Sequence, residues 1–266
     1  MFWLALTTFV SVALATGALV RGNRSIRFLR DISPALPARP PRVSVVIAAR
    51  DEARGIEAAL ASLLAQDYPD YEVIVVDDRS GDATPAILAR MAARNARLTV
   101  LRIDDLPAGW LGKNYALECG ARAATGGMLV FADADVVMRP DVLARAVSHA
   151  LSARRDHIAI TPEIAAPGVL LGMFMGSFTM FFSLYARPWK APDAHSRCFI
   201  GIGAFNLVRS EVYRAVGGHS RIALRPDDDI KLGKIIKDAR YAQEMLFGGG
   251  CMLVEWYPTL AALARG

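Results

Sequence analysis

The sequence predicts an α/β fold, a mostly parallel sheet with helices on both faces, preceded by an N-terminal transmembrane helix. Three observations carry that expectation. Short apolar runs rich in Val and Ile alternate with segments of helical period, as strands buried on both faces do. Carboxylates stand in pairs at the ends of three such runs. The chain opens on a long uncharged apolar stretch that runs directly into arginines.

That stretch is Phe2 to Val20, 19 positions that as a helix at ~1.5 Å per residue nearly span a hydrocarbon core of roughly 30 Å. Arg21, Arg24, Arg27 and Arg30 follow it, whereas a cleaved secretory signal carries its positive charge ahead of the apolar run. Residues 1–21 therefore read as a retained anchor. The positive-inside rule then puts everything after Arg21 in the cytoplasm, at the cell (inner) membrane, with the arginines suited to anionic headgroups. A basic, Pro-rich linker fills 22–42 and ends in "ISPALPARPPR".

A domain over 43–258 follows. "VSVVIAA" (43–49) is the first strand, "ARGIEAALASLLAQ" a helix and "YEVIVVDD" the second strand. "ATPAILARMAARN" is a helix with Pro85 near its first turn, and "RLTVLRI" a third strand. A helix over about 113–124 and the strand "GMLVFADAD" complete the alternation, which implies a parallel sheet.

At 266 residues and 53% apolar, the chain can bury a full-sized core. Its net charge of +5 is spread along the sequence without a nucleic-acid-binding motif, so a membrane surface is the expected partner and nucleic acid is not. Cys119, Cys198 and Cys251 are widely separated, which gives neither a disulfide framework nor zinc spacing. No Gly-x-Gly-x-x-Gly follows the first strand and no Gly-rich loop ends in Lys-Ser/Thr, which argues against a dinucleotide fold and a P-loop.

The carboxylates are the informative feature. Asp51 and Glu52 follow the first strand, Asp77 and Asp78 end the second, and Asp133 and Asp135 end the strand in "FADADV". In an open parallel sheet, ligands bind beyond the carboxyl ends of the strands. One acidic strand end is ordinarily a turn residue or helix N-cap, but three on one edge point to a site. Two aspartates one residue apart repel unless a cation lies between them. Mg²⁺ or Mn²⁺ takes oxygen ligands from one or two carboxylates and from substrate phosphates, so Asp133 and Asp135 read as a half-site completed by a diphosphate.

With these residues in place, the chain resembles the inverting family 2 glycosyltransferases of GT-A fold. "VSVVIAARDEA" looks like that family's first-strand motif, "VIVVDDRSGDAT" its second and "FADADV" its Asp-x-Asp metal motif. "GWLGKNYALECGARAATGG" is similar to the stretch before that motif, above all in members that glycosylate hopanoids, carotenoids or ceramide. "GIGAFNLVRSEVYRAVGGH" and "DDDIKLGKII" look like the acceptor-side region. The resemblance spans about residues 43–258.

The resemblance implies roles position by position. Ala49, Asp51, Glu52, Asp77 and Asp78 match the motifs that hold a nucleotide, most often uridine. Lys113 matches a lysine near the donor diphosphate. Asp133 and Asp135 match donor and metal ligands, Mg or Mn. Asp229 matches the general base, with Asp228 in the Glu position of a Glu-Asp motif, and Gly203 and His219 fall on the acceptor side. Inversion needs one base to deprotonate the acceptor hydroxyl, which suits a carboxylate. The other reading of "PDDDIKL" is an acidic helix start. The function implied is transfer of one sugar from a nucleotide-sugar donor, a UDP-sugar, to a lipid hydroxyl at the cytoplasmic membrane face.

Two departures from the family pattern matter. The Gln-x-x-Arg-Trp motif of processive members is absent, which favours single transfer over polymerisation, and 259–266 read as the start of a truncated C-terminal region. A nucleotidyltransferase on a similar sheet and a non-catalytic membrane-bound module stay open as rival readings. The 18 uncharged residues from Val169 to Ala186 are long enough to cross a membrane, yet a crossing would separate Asp135 from Asp229. An interfacial or re-entrant helix over 164–187 is expected, with a core helix as the alternative. Gly172, Gly176, Thr179 and Ser183 form a small-residue stripe expected to pack on the protein, and Lys231, Lys234 and Lys237 a basic stripe that faces headgroups or solvent.

Overall fold

The computed structural model describes residues 1–256. The predicted domain's last two residues, 257–258, and the 259–266 segment lie outside them. The first half follows the predicted order: α1 (Phe2–Arg24), β1 (Val43–Ala49), α2 (Ile56–Leu64), β2 (Tyr71–Asp78), α3 (Thr84–Ala92), β3 (Leu98–Ile103), α4 (Gly112–Ala123) and β4 (Met128–Ala132). The second half adds β5 (Val137–Met138), α5 (Val142–Ser152), β6 (His157–Thr161), β7 (Glu163–Ile164) and α6 (Val169–Ala186). It closes with β8 (Asn206–Arg209), α7 (Ser210–Ala215), α8 (Asp228–Asp238), β9 (Gln243–Phe247) and β10 (Met252–Val254).

Seven strands form one sheet in the order β3-β2-β1-β4-β8-β6-β9, and β5, β10 and β7 form a small second sheet. Only β8 runs against its neighbours in the large sheet. Alternate residues of β1 serve the two faces: Val43, Val45 and Ile47 pack with Ile56, Leu60 and Leu63 of α2, and Val46 packs with Ala116 and Leu117 of α4. Each such side chain contributes about 1.5–3 kcal/mol of burial. Gly120 makes the second contact close, because a Cβ there would lie 2.4 Å from Val46 Cγ1.

β4 stops at Ala132, opposite Ile47, three residues short of the predicted strand. The apolar run that pairs in the sheet ends where the carboxylates begin, and Asp133 to Asp135 turn out over the edge.

The apolar length of α1 is exposed, and its last turns meet the domain where Gly22 lies flat on the Trp189 indole. The 22–42 stretch is docked on the domain. Leu29 is buried in the same cluster as Val43, Phe28 bridges to Phe247, and Arg145 Nη1 donates to the carbonyls of Arg30 and Ile32.

Most of the α6 circumference is exposed, which disfavours the core-helix alternative; it packs on the domain through Leu171, Met175 and Ser183. The small-residue stripe divides: Ser183 packs on the domain as expected, but the two glycines do not. Gly172 and Gly176 face open space with nothing within 4 Å of a Cβ, because the larger apolar residues at 171 and 175 occupy the contact. Lys237 likewise leaves the basic stripe: it is buried and its ammonium donates to the carbonyls of Ala191 (2.6 Å) and Asp193 (2.8 Å).

Candidate active site

β1 and β2 end side by side, with Ala49 opposite Asp77. Beyond Ala49 the chain turns sharply: Asp51 has a left-handed backbone (φ 56°), its amide donates to Ser80 Oγ at 3.0 Å and its Oδ1 accepts from the Gly81 amide at 2.8 Å. The Glu52 amide donates to Thr84 Oγ1 at 2.8 Å. Both first-strand acids are thereby stitched to the loop after β2. Asp77 and Asp78 are buried carboxylates with partners in place. Asp77 accepts from the Ser80 amide (3.1 Å) and Arg102 (3.5 Å), and Asp78 accepts both arms of the Arg79 guanidinium (2.8 and 3.2 Å). Gly112, at the start of α4, leaves no room for a side chain, since a Cβ would stand 2.0 Å from Asp78 Oδ2.

The same start of α4 carries Lys113, which reaches across to Asp133 Oδ1 at 2.8 Å and Asp228 Oδ1 at 3.7 Å. Burial alone would lower the lysine, but the carboxylates of Asp133, Asp228 and Asp229 outweigh it and hold the ammonium above its ordinary range. Burial pushes the Asp228 carboxyl up to about 6 against the pull of Lys113, with the charges of Asp229 and Asp133 adding to it. Asp229 is raised too, by burial first, with the Ile230 amide acting against it; Asp229 Oδ1 accepts from that amide at 2.7 Å. The two acids stand in the first turn of α8, where the helix dipole favours negative charge.

Asp135 differs from its neighbour. It is half-buried and, unlike Asp133, forms no salt bridge with a lysine or arginine among the described residues; its own amide and the more distant charge of Lys113 act on it only weakly. Burial first and then the Asp133 charge push its pKa up. The carboxyl of Glu52 is raised by burial and then by Asp135 and Asp133, so Glu52 and the acidic pair share one field. Among the described residues no three His, Cys, Asp or Glu side chains converge as metal ligands. The unpaired carboxylate of Asp135 beside Asp133 fits an oxygen-liganded divalent cation, but only as half a site, with the remaining ligands from another molecule.

Next to these carboxylates opens a cavity of ≈ 810 Å³, with Lys113, Asp133, Asp228 and Asp229 in its lining. Its walls are apolar: Phe178 and Phe182 come from α6, and Met245, Phe247, Phe28 and Trp256 from the domain. Phe178 and Trp256 meet edge to face at 5.2 Å, joining the exposed helix to the end of the described chain. Of these wall residues only those of α6 had a sequence signal, as part of the apolar 169–186 segment; Phe28, Met245, Phe247 and Trp256 lie too far apart in sequence to give a pattern until the fold closes. Gly203 also lines it, and a Cβ there would be 2.6 Å from Asp133 Oδ2, so the glycine lets the 200–206 loop lie against the acidic pair.

His219 does not reach that cavity. It is buried behind Lys113 and Asp228; its ring lies edge-on to Phe131 and its Nδ1 and amide both meet Tyr213 OH, at 2.8 and 3.1 Å. The glycines before it build the turn that packs His219 inward, Gly218 lying against the Tyr213 ring. Asp133 and Asp135, Asp51 and Glu52, Asp77 and Asp78, Lys113, Asp228 and Asp229 all gather at one edge of the sheet, as their places at strand and helix ends require.

The sequence pattern of the family described as Glycosyl transferase family 2 matches residues 44–216. The 4,4'-diaponeurosporenoate glycosyltransferase of Staphylococcus haemolyticus is 34% identical over 219 residues, 81% of this chain and 56% of that protein. The beta-monoglucosyldiacylglycerol synthase of Trichormus variabilis is 36% identical over 109 residues, 40% of this chain and 23% of that one. This chain thus spans at most about half the length of either curated relative. Among solved structures, the mannosyltransferase PcManGT from Pyrobaculum calidifontis, in complex with GDP-Man and Mn²⁺, superposes with a TM-score of 0.66 at 24% identity, over 97% of this chain and 70% of that one. The shared fold is of GT-A type.

Proposed function

The chain belongs to glycosyl transferase family 2, and from that premise we propose that it transfers one sugar from a nucleotide-sugar donor, a UDP-sugar, to a lipid hydroxyl with inversion at the anomeric carbon. The observation that carries this reading is the ≈ 810 Å³ apolar cavity, which has the exposed helix α6 as a wall and the Asp228–Asp229 carboxylates in its lining. An aliphatic chain gains about 0.8 kcal/mol for each methylene it buries there. Two relatives whose names refer to 4,4'-diaponeurosporenoate and to diacylglycerol are in keeping with such an acceptor.

In this reading α1 anchors the enzyme, α6 lies in the membrane interface or as a re-entrant helix at the cytoplasmic face, and the acceptor enters the cavity from the bilayer. The nucleoside is held at the ends of β1 and β2 by Ala49, Asp51, Glu52, Asp77 and Asp78. Asp133 and Asp135 would hold Mg²⁺ or Mn²⁺, which when bound would supply positive charge to offset that of the leaving diphosphate. Asp229 accepts the proton of the acceptor hydroxyl as that oxygen attacks the anomeric carbon. The new C–O bond forms on the face opposite the breaking bond to the diphosphate, the proton ends on Asp229, and the nucleoside diphosphate leaves. Burial of Asp229 raises its basicity for that task. Lys113 steadies Asp133 and Asp228 around the reacting atoms.

The test is incubation of the full chain in nanodiscs with Mn²⁺, a panel of UDP- and GDP-sugars and lipid acceptors, with products read by mass spectrometry. Asp229→Asn should lower transfer by about 10²–10⁴-fold and leave metal-dependent donor binding intact. Wild-type protein that binds no donor in the presence of metal would sink the reading.

A further inference from the structure

Three buried polar side chains behind the cavity take no part in the chemistry above. His157 on β6 and Gln243 on β9 are wholly buried, and Asn206 on β8 is 2% exposed. His157 Nε2 lies 3.1 Å from Asn206 Oδ1, and Gln243 Nε2 lies 3.3 Å from His157 Nδ1. An amide oxygen can only accept and an amide nitrogen only donate, so these partners require a neutral imidazole protonated on Nε2. Burial holds His157 down at about 4, which keeps it neutral at physiological pH.

The outer ends of this chain of hydrogen bonds grip backbone. Gln243 Oε1 accepts from the Ile200 amide at 2.9 Å and its Nε2 donates to the Gly233 carbonyl at 2.9 Å. Asn206 Oδ1 also accepts from the Ile202 amide at 3.2 Å. The backbone so held is wedged between the proposed base and the acidic pair: a Cβ on Gly201 would stand 1.8 Å from the Asp229 carbonyl, and one on Gly203 2.6 Å from Asp133 Oδ2. A Cβ on Gly233 in α8 would stand 1.8 Å from the Ile200 carbonyl. Apolar residues would fill the same volume without the desolvation cost of three polar groups. What they would not supply is a fixed height of the 200–203 segment against α8.

We propose that His157, Asn206 and Gln243 form a positioning triad that sets the distance between Asp229 and Asp133 by pinning Ile200–Gly203 onto α8. The proposal rests on the reading of Asp229 as base and Asp133 as donor ligand. None of the three touches substrate; they act through the backbone they hold.

The test compares His157→Phe, which fills the site but neither donates nor accepts, with His157→Gln, which can do both. Amide hydrogen exchange at Ile200 and Ile202 reports the pinning without reference to activity. His157→Phe should speed that exchange and lower kcat for transfer by about 10²-fold, the scale of a 1 Å misplacement, while donor Kd stays within about twofold. His157→Gln should recover most of both. Should His157→Phe not fold, Gln243→Met removes the two outer contacts of Gln243 and takes the same readouts. Unchanged exchange, faster exchange with unchanged kcat, or equal losses in His157→Phe and His157→Gln would each overturn the triad. Wild-type protein that transfers no sugar would instead overturn the assigned function, and exchange alone would then decide whether the triad pins the segment.

Discussion

Lys113 Nζ stands 2.8 Å from Asp133 Oδ1 and so neutralises one member of the acidic pair, leaving Asp135 without a cationic partner among the described residues. Two like charges at a strand end are tolerated here because an internal cation serves one of them. The other, Asp135, has no salt bridge of its own among the described residues, and burial and the Asp133 charge raise its carboxyl.

Removing the internal cation should therefore damage chemistry more than folding. Lys113 stabilises the carboxylates around it, but it is half-exposed and solvent screens those pairs, so Lys113→Met is expected to lower Tm only modestly. Transfer should fall by about 10²–10³-fold, the loss typical of one charged group removed from a preorganised site. Steady-state kinetics beside a thermal melt separate the two, and a large drop in Tm with proportionate loss of activity would contradict the assignment.

Asp135→Asn should uncouple function from stability in the opposite direction. Burial and Asp133 raise the Asp135 carboxyl above its unfolded value, so its charge opposes folding near neutral pH and its removal leaves Tm unchanged or higher. Manganese-dependent donor affinity, read by calorimetry, should fall by about 10–100-fold. A variant that binds donor and Mn²⁺ like wild type would remove Asp135 from the metal site.

Acid should destabilise the fold through its buried histidines. Burial depresses His157 to about 4 and His219 to about 3, both below an unfolded value of 6.5. The unfolded chain binds more protons across that window, so stability from these groups is present above pH 6.5 and lost as pH falls toward the folded values. For His157 the loss is on the order of 3 kcal/mol. The raised carboxyls of Glu52, Asp135 and Asp228 run the other way, so the measurement is a difference: between pH 7.5 and 4.5 the urea midpoint of His157→Gln should fall less than that of wild type. Equal falls would refute the contribution.

The glycines divide into two kinds. Gly201→Ala drives a Cβ into the Asp229 backbone and should abolish folded expression, whereas Gly172→Ala and Gly176→Ala meet nothing within 4 Å. Those two should leave Tm unchanged or raise it by helix propensity, about 1 kcal/mol each. Loss of stability in either α6 variant would show that this face packs after all.

Much of the first half was legible because its strands are buried on both faces and so spell themselves as unbroken Val and Ile runs. β1 and β2 have the predicted bounds, with Asp51 and Glu52 just past the end of β1 and Asp77 and Asp78 as the last two residues of β2, so both pairs fall at the same sheet edge. The second half is different. β8 is four residues long and antiparallel, and β5, β7 and β10 have two or three residues each, too short for any period to register. The cavity escaped for a related reason, since its walls are assembled from residues as distant as Phe28 and Trp256. The inward turn of His219 was not legible either, because it depends on Gly217 and Gly218 bringing the ring against Phe131 and Tyr213. The packing face of α6 was legible only in part: Ser183 lies on it, but Leu171 and Met175 stand there in place of Gly172 and Gly176, because small residues mark a close interface only where a partner surface approaches them.

The docking of 22–42 has a kinetic meaning. Gly22 on Trp189, Leu29 in the core and Phe28 on Phe247 leave almost no slack between α1 and the cavity. For the membrane-anchored enzyme proposed above, the cavity rides at a constant height and searches in two dimensions. The concentration that governs its rate is the acceptor's mole fraction in the leaflet, so diluting the acceptor with inert lipid should slow turnover while adding buffer should not.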